Sequence, residues 1–301
     1  MKILIVLLRK SGGVGRANGE IAEALREMGH EVDILSREDD LKIFSLAKSV
    51  FPMRKKVSEL MEKNNYDFIY TQDYSCAIPL IFPYPIFWKK HFCCFCGVKS
   101  GKHPELVQWH QKFLQRFTGR IFGKKLVVIG DQLKEIFPKA KLIYRGVNLK
   151  KFKPMKKKRS CLGWIDKDIE LISRDELDGV CKNVKLKFCV AEGIRPEKMN
   201  EFYNKCKVFV DIPRTAGFNL AWLEAMAAGV PIVIGNKRGA GSFLPFDKIS
   251  DDDDMPKEVE KIIKKPVKIN YRDWLIENKF TWKDKAKELV GFLGKYYKNG
   301  S

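Results

Sequence analysis

The chain opens on Ile3-Leu-Ile-Val-Leu-Leu8, six apolar residues in a row, and this run limits the possible folds more than any other feature. A strand that is apolar on every residue has both faces buried, as in a parallel sheet covered by helices on each side. The residues that follow fit that setting. Lys10-Ser-Gly-Gly-Val-Gly15 reads as a glycine loop, and apolar residues at 21, 22, 25 and 28 recur at helical spacing until Gly29. Glu31-Val-Asp-Ile-Leu35 is then a second strand. Strand, glycine loop, helix and strand close a right-handed parallel pair, the opening of a Rossmann-like α/β sheet.

The alternation continues with a helix near 54–64, strands at 67–70 and near 92–96, a helix near 104–121, a strand at 125–129 and a short one at 142–144. Leu149-Lys-Lys-Phe-Lys-Pro-Met-Lys-Lys-Lys-Arg159 interrupts the apolar pattern with charge and a proline, as a linker does. A second series follows, with strands near 160–163, 184–190, 207–211 and 231–234 and helices near 196–205 and 219–228. Asp251-Asp-Asp-Asp254 stands before a helix running to Lys264 and reads as its acidic cap rather than a metal site. The expected organisation is two α/β domains, 1–155 and 156–270, with residues 271–301 as terminal helices; 301 residues suffice for two cores.

Fifty-seven basic residues against 37 acidic ones give a net charge of +20, so the surface attracts polyanions: a phosphorylated substrate, an anionic membrane or nucleic acid. Nucleic acid is the weakest of these, since no nucleic-acid motif supports it. The eight cysteines lie mostly in apolar runs such as Phe92-Cys-Cys-Phe-Cys96, the pattern of reduced core thiols, and imply a cytoplasmic chain, with peripheral attachment to the inner membrane face as an option. Paired CxxC ligands are absent, so no metal site is expected. The apolar stretch 76–88 carries prolines 79, 83 and 85 and argues against a spanning helix.

Two motifs carry chemistry. Gly12 and Gly13, between a buried strand and a helix, let backbone amides approach a phosphate or sugar, with a plain tight turn as the alternative. Pro213-Arg-Thr-Ala-Gly-Phe-Asn-Leu-Ala-Trp-Leu-Glu-Ala-Met-Ala-Ala-Gly-Val-Pro-Ile-Val-Ile234 is the stronger signal: strand end, Gly217 loop, helix, Gly-Val-Pro and strand in strict order. A helix starting near Asn219 presents the amides of Gly217, Phe218, Asn219 and Leu220 to a diphosphate, and Glu224 further along can accept both hydroxyls of a ribose.

This segment resembles the family-four retaining glycosyltransferases (glycosyl transferases group 1). The resemblance extends to Gly12-Gly-Val-Gly15, to Gly29-His-Glu-Val32, to Ile143-Tyr-Arg-Gly-Val-Asn-Leu-Lys-Lys-Phe-Lys-Pro154 and to Phe280-Thr-Trp282. It implies the GT-B fold, with two Rossmann-like domains facing a cleft, a C-terminal element that crosses back to the first domain, and a nucleotide-diphosphate sugar as substrate with no further cofactor. It also implies transfer with retention, independent of metal, to a lipid, lipid-linked or glycan acceptor held by the first domain.

The sequence departs from the family pattern at two places. Of the two glutamates with seven residues between them, the second matches Glu224 and the first falls on Ala216. The arginine that follows a glycine at the first strand of the donor domain is replaced by Trp164, after Gly163. Arg214, Lys237 and Arg238 are substitutes for the cations that neutralise a departing diphosphate, and His103 stands in for a histidine expected near the end of the fourth strand. These departures leave a non-catalytic nucleotide-sugar-binding protein as one alternative, and a basic nucleic-acid-binding or nucleic-acid-modifying protein as another.

The stretch 109–125 places Trp109, Phe113, Phe117 and Ile121 on one helical stripe beside Lys112, Arg116 and Arg120. A Rossmann domain must bury one face of a helix here, so the stripe is expected to pack on the sheet, with anionic lipid as the competing partner.

Overall fold

The computed structural model describes residues 1–97, 109–165, 182, 186–211, 218–234, 244, 255–265 and 270–297. The chain divides into two compact units, residues 1–145 with 282–301, and residues 146–281.

The first unit is built on six parallel strands: β1 (Lys2–Leu7), β2 (Glu31–Ser36), β3 (Phe68–Gln72), β4 (His91–Phe95), β5 (Leu126–Val128) and β6 (Lys141–Leu142). Their spatial order is β2-β1-β3-β4-β5-β6. Ile3 to Leu7 are at most 1% exposed, which is why no polar residue interrupts β1. Interspersed with these strands are α1 (Gly12–Glu27), α2 (Leu46–Asn64), α3 (Tyr74–Ile81), α4 (Trp109–Phe122) and α5 (Asp131–Ile136). Met53, Val57 and Met61 of α2 and Cys76 and Leu80 of α3 pack with Leu4, Val6 and Ile69. Farther along the same face, α3, α4 and α5 cover Cys93, Phe95 and Val128. The opposite face receives the C-terminal helix Trp282–Tyr297, whose Phe292 and Tyr296 meet Phe92 edge-on at 5.7 and 4.9 Å.

The structure changes or adds to these expectations at three points. First, α1 starts at Gly12, so the glycine stretch is the helix's first turn and not a loop before it. Gly12 takes φ of +74°, and a Cβ on Gly15 would stand 2.1 Å from the carbonyl oxygen of Lys10. The glycines therefore let β1 turn sharply into α1 against its own backbone. Second, the proline-rich apolar stretch contains the short helix α3, with Pro79 inside it and Asp73 accepting from the Tyr74 amide as its cap. Third, α4 buries Gln115, Thr118, Gly119 and Phe122, while Trp109, Phe113, Phe117 and Ile121 are 78%, 59%, 48% and 38% exposed. The inner face has to be narrow, because a Cβ on Gly119 would lie 2.2 Å from the ring of Phe137. The aromatic stripe consequently faces away from the sheet.

His91 gives this unit an acid-sensitive point. Its Nε2 lies 3.0 Å from Thr71 Oγ1, its Nδ1 is buried without a partner, and burial, helped by the Lys125 charge, pushes the imidazole down to about 3. The unfolded chain takes up a proton at this residue below about pH 6.5 and the folded chain does not, so stability falls by ~1.4 kcal/mol per pH unit from there down to the folded value. His91→Leu should reduce the stability lost between pH 7 and pH 5 by about 2 kcal/mol, read from urea midpoints at the two pH values.

Among the described residues, the second unit has four parallel strands, β7 (Cys161–Trp164), β8 (Lys187–Val190), β9 (Cys206–Asp211) and β10 (Ile232–Ile234), in the order β10-β9-β7-β8. Its helices are α6 (Met199–Lys205), α7 (Leu220–Ala227), α8 (Met255–Lys264) and α9 (Tyr271–Glu277); the C-terminal helix Trp282–Tyr297 is α10 and belongs to the first unit. Leu162, Trp164, Val208, Val210 and Val233 form its core with Val259 of α8.

The sequence places the division near 156, yet residues 146–155 belong to the second unit. Their backbone groups are bound there. The Lys153 amide donates to Asn200 and the Met155 amide to Asn204, while Arg272 donates to the carbonyls of Leu149 and Phe152. The lysine-rich stretch looks like a linker because its side chains are solvated, but its main chain is held. Likewise only α10, and not α9, returns to the first unit.

Candidate functional site

In a parallel α/β sheet, ligands bind beyond the carboxyl ends of the strands, where the strand order reverses. In the second unit that point falls between β7 and β9, which end at Trp164 and Asp211. Asp211 is 5% exposed, and its Oδ2 accepts from Asn219 Nδ2 at 2.9 Å and from Trp222 Nε1 at 2.6 Å. Asn219 is the N-cap of α7: its backbone is extended and its Oδ1 accepts from the Ala221 amide at 3.1 Å. One asparagine thus ties the strand end to the helix start, and it fixes the direction in which that helix points. At the other end of α7, Arg159 donates to the carbonyls of Ala228 and Gly229, a cation at the negative pole of the helix.

Every residue of α7 is buried, Glu224 included. The Glu224 carboxylate is 4% exposed, and its Oε2 accepts from the hydroxyl of Tyr203 on α6 at 2.8 Å. Tyr203 is itself enclosed by Phe152, Phe202 and Phe209. Protein groups therefore engage both the Ala221 amide and the Glu224 carboxylate. Phe218, Asn219, Leu220 and Glu224 lie on this one short segment, as the sequence implied. Gly217, Ala216, Arg214, Lys237 and Arg238 lie outside the described residues, as does His103 of the first unit.

Trp164 does not stand in for the arginine it replaces. Its indole is 2% exposed, stacked on Phe188 at 5.9 Å between centroids, and is part of the hydrophobic core. Asp211 and Tyr203 are not among the site residues expected from the sequence. Asp211 carries a signal, an acid that ends the apolar run Val208-Phe-Val210; Tyr203 carries none.

In the first unit, Gly12 and Gly13 are exposed at the start of α1, beside the switch point between β1 and β3. The turn before them is anchored: the Lys10 amide donates to Asp39 at 2.6 Å, Lys10 Nζ contacts Asp40 at 2.6 Å, and Arg9 pairs with Glu38. Near the ends of β3 and β4, the buried Arg145 donates to Cys96 Sγ at 2.7 Å, and Cys96 in turn donates to Gln72 Oε1 at 3.0 Å. The contact of Cys94 Sγ with Cys96 Sγ at 4.0 Å, with the Arg145 charge nearby, holds the Cys94 thiol below its ordinary value. All the described cysteines are free thiols.

The family model described as glycosyl transferases group 1 matches residues 172–247, the stretch that contains β8, β9, α7 and β10. No curated protein sequence matches the chain. Among solved structures, the sucrose-phosphate synthase from Thermosynechococcus elongatus is 14% identical with a TM-score of 0.74, covering 99% of this chain and 100% of that one. The chain has the GT-B fold. A glycosyltransferase involved in avilamycin A biosynthesis aligns at 11% identity and TM-score 0.71, over 99% of this chain and 98% of its own. The UDP-GlcNAc 2-epimerase from Methanocaldococcus jannaschii aligns at 10% identity and TM-score 0.60, over 98% and 100%. The GT-B fold thus serves transferases and epimerases alike, and the chemistry of this chain has to be argued from its site.

Proposed function

We propose that the protein is a glycosyltransferase that moves a hexosyl group from a nucleoside-diphosphate sugar to a lipid, lipid-linked or glycan acceptor, with retention and without a metal. The observation that carries this reading is the Asp211-Asn219-Trp222 link with Glu224 behind it, at the switch point of the second sheet and inside the segment that the glycosyl transferases group 1 model matches. That match favours transfer over epimerisation.

In this reading the amides of Gly217, Phe218, Asn219 and Leu220 receive the diphosphate ahead of the capped Ala221, aided by the positive end of α7. Tyr203 donates to the Glu224 carboxylate and holds it in place, and in this reading that carboxylate receives the ribose hydroxyls. The bond between the anomeric carbon and the phosphate oxygen breaks, and the acceptor hydroxyl enters on the same face and gives its proton to the departing phosphate. No protein nucleophile takes part. Arg214, Lys237 and Arg238 neutralise the charge that grows on the leaving group, and cations with helix dipoles replace a metal.

Calorimetric titration with a panel of nucleoside diphosphates and their sugar conjugates tests the reading. Binding of at least one diphosphate is expected, together with release of that diphosphate from its sugar conjugate when acceptor is added. Glu224→Gln keeps an acceptor for the Tyr203 hydroxyl but removes the charge, and should weaken donor binding about ten-fold or more. Absence of binding throughout the panel would overturn the donor site. Binding without turnover is the result for a non-catalytic sugar-nucleotide binder, which the core position of Trp164 favours because it leaves β7 without its cation.

A further inference from the structure

The outward face of α4 has no role in donor binding, and its chemistry is unusual for a solvated helix. At 3.6 residues per turn, Arg116, Trp109, Arg120, Phe113, Phe117 and Ile121 follow one another across about 140° of the circumference. All six are exposed. Aromatic rings and cations therefore alternate on one surface instead of segregating to opposite sides. The stretch 109–125 contains no acidic residue, and Lys112, Arg116, Arg120 and Lys124 have no acidic partner among the described residues.

The patch continues beyond α4. Phe51 on α2 is 76% exposed, and Phe82 and Tyr84, just after α3, are 61% and 65% exposed. They belong to, or directly follow, helices that cover the same face of the first sheet as α4. A monomer leaves so much aromatic area in water only where something covers it.

The geometry points to an anionic lipid bilayer as the occupant: α4 lies along the headgroup layer, with Trp109, Phe113, Phe117 and Ile121 in the interface and Lys112, Arg116, Arg120 and Lys124 on lipid phosphates. Two observations select lipid. The cations have no counter-charge within the patch, so phosphates supply it. Phe113 and Phe117 stack on each other at 6.1 Å with 13° between their planes, so these rings are occupied by one another rather than held apart as platforms for bases. Ile121 adds aliphatic area with no stacking capacity. This surface is independent of the transferase reading and holds whether or not a sugar is moved.

Flotation of the full chain with vesicles of phosphatidylcholine alone, or mixed with phosphatidylglycerol, provides the test. Wild type should float with the mixed vesicles only. Arg116→Glu with Arg120→Glu should weaken that binding on the order of ten-fold or more, and Phe113→Ser with Phe117→Ser should also lose it. All four positions are exposed, so circular dichroism should be unchanged. Lys156→Glu with Lys158→Glu alters net charge equally at exposed positions of the second unit and should leave flotation intact. Equal binding to both vesicle types, or equal loss in the second-unit variant, would overturn the assignment. So would α4 variants that keep vesicle binding and lose binding to a single-stranded oligonucleotide.

Discussion

Gly15→Ala is expected to lower the stability of the protein by about 3 kcal/mol or more, the range of substitutions that force backbone apart. The new methyl group would lie 2.1 Å from the carbonyl oxygen of Lys10 and 2.6 Å from that of Arg9. Neither oxygen can retreat easily, because this turn is pinned through Lys10 to Asp39 and Asp40 and through Arg9 to Glu38. Gly19→Ala in the same helix is the control. A Cβ there meets nothing within 4 Å, and removing a helical glycine should stabilise by roughly 0.5–1 kcal/mol. Denaturant midpoints of the two variants should move in opposite directions. Equal small shifts would mean that the turn out of β1 is looser than its contacts indicate.

Asp211→Ala should cost about 3 kcal/mol, because it removes the acceptor shared by the buried Trp222 indole and the half-buried Asn219 amide. Trp222 Nε1 and Asn219 Nδ2 both donate to Asp211 Oδ2, and the indole of Trp222 is fully buried, so water cannot replace the lost acceptor. Asn219 would keep its cap on Ala221 and lose its tie to the strand end. The start of α7 should then wander, and donor binding should fall with the denaturant midpoint. Trp222→Phe separates the two effects: it removes one donor and keeps the tie, so stability should recover in part in the double variant with Asp211→Ala. Wild-type stability in Asp211→Ala would show that the carboxylate is not an essential anchor.

What the sequence disclosed follows from which physical signals are local. The strands of the first sheet were legible because residues buried on both faces are apolar without interruption, as in Ile3 to Leu7 and Phe92 to Phe95. The order of elements around α7 was legible because Asn219 is a strong cap and Gly229-Val-Pro231 a strong stop. Other features depend on contacts distant in the chain. The glycines at 12, 13 and 15 have poor helix propensity and so suggested a loop, although a positive φ at Gly12 and the close approach of Gly15 to Lys10 are what call for glycine there. The aromatic stripe of α4 looked like an inner face, and only the ring of Phe137 against Gly119 explains why the small residues point inward. The charge run after Leu149 looked like a linker, since nothing local announces that Asn200, Asn204 and Arg272 hold its backbone.

The candidate site divides in the same way. Phe218, Asn219, Leu220 and Glu224 were found together because they follow one another in sequence. Asp211 and Tyr203, which orient Asn219 and Glu224, come from other elements and emerge only when the fold is known. Orientation of a binding group by a buried neighbour is a property of packing, and sequence spacing does not encode it.

Placing α10 in the first unit has a consequence for how the protein is made. The aromatic surface of Phe68 and Phe92 is covered by Phe292, Tyr296 and Tyr297, which follow the whole of the second unit in the chain. While the ribosome is still translating residues 146–281, Phe68 and Phe92 lack the rings that cover them in the native fold. The second unit can mature as one uninterrupted piece, whereas the first, although synthesised earlier, waits for the last helix to emerge and is the part of the nascent chain most in need of a chaperone.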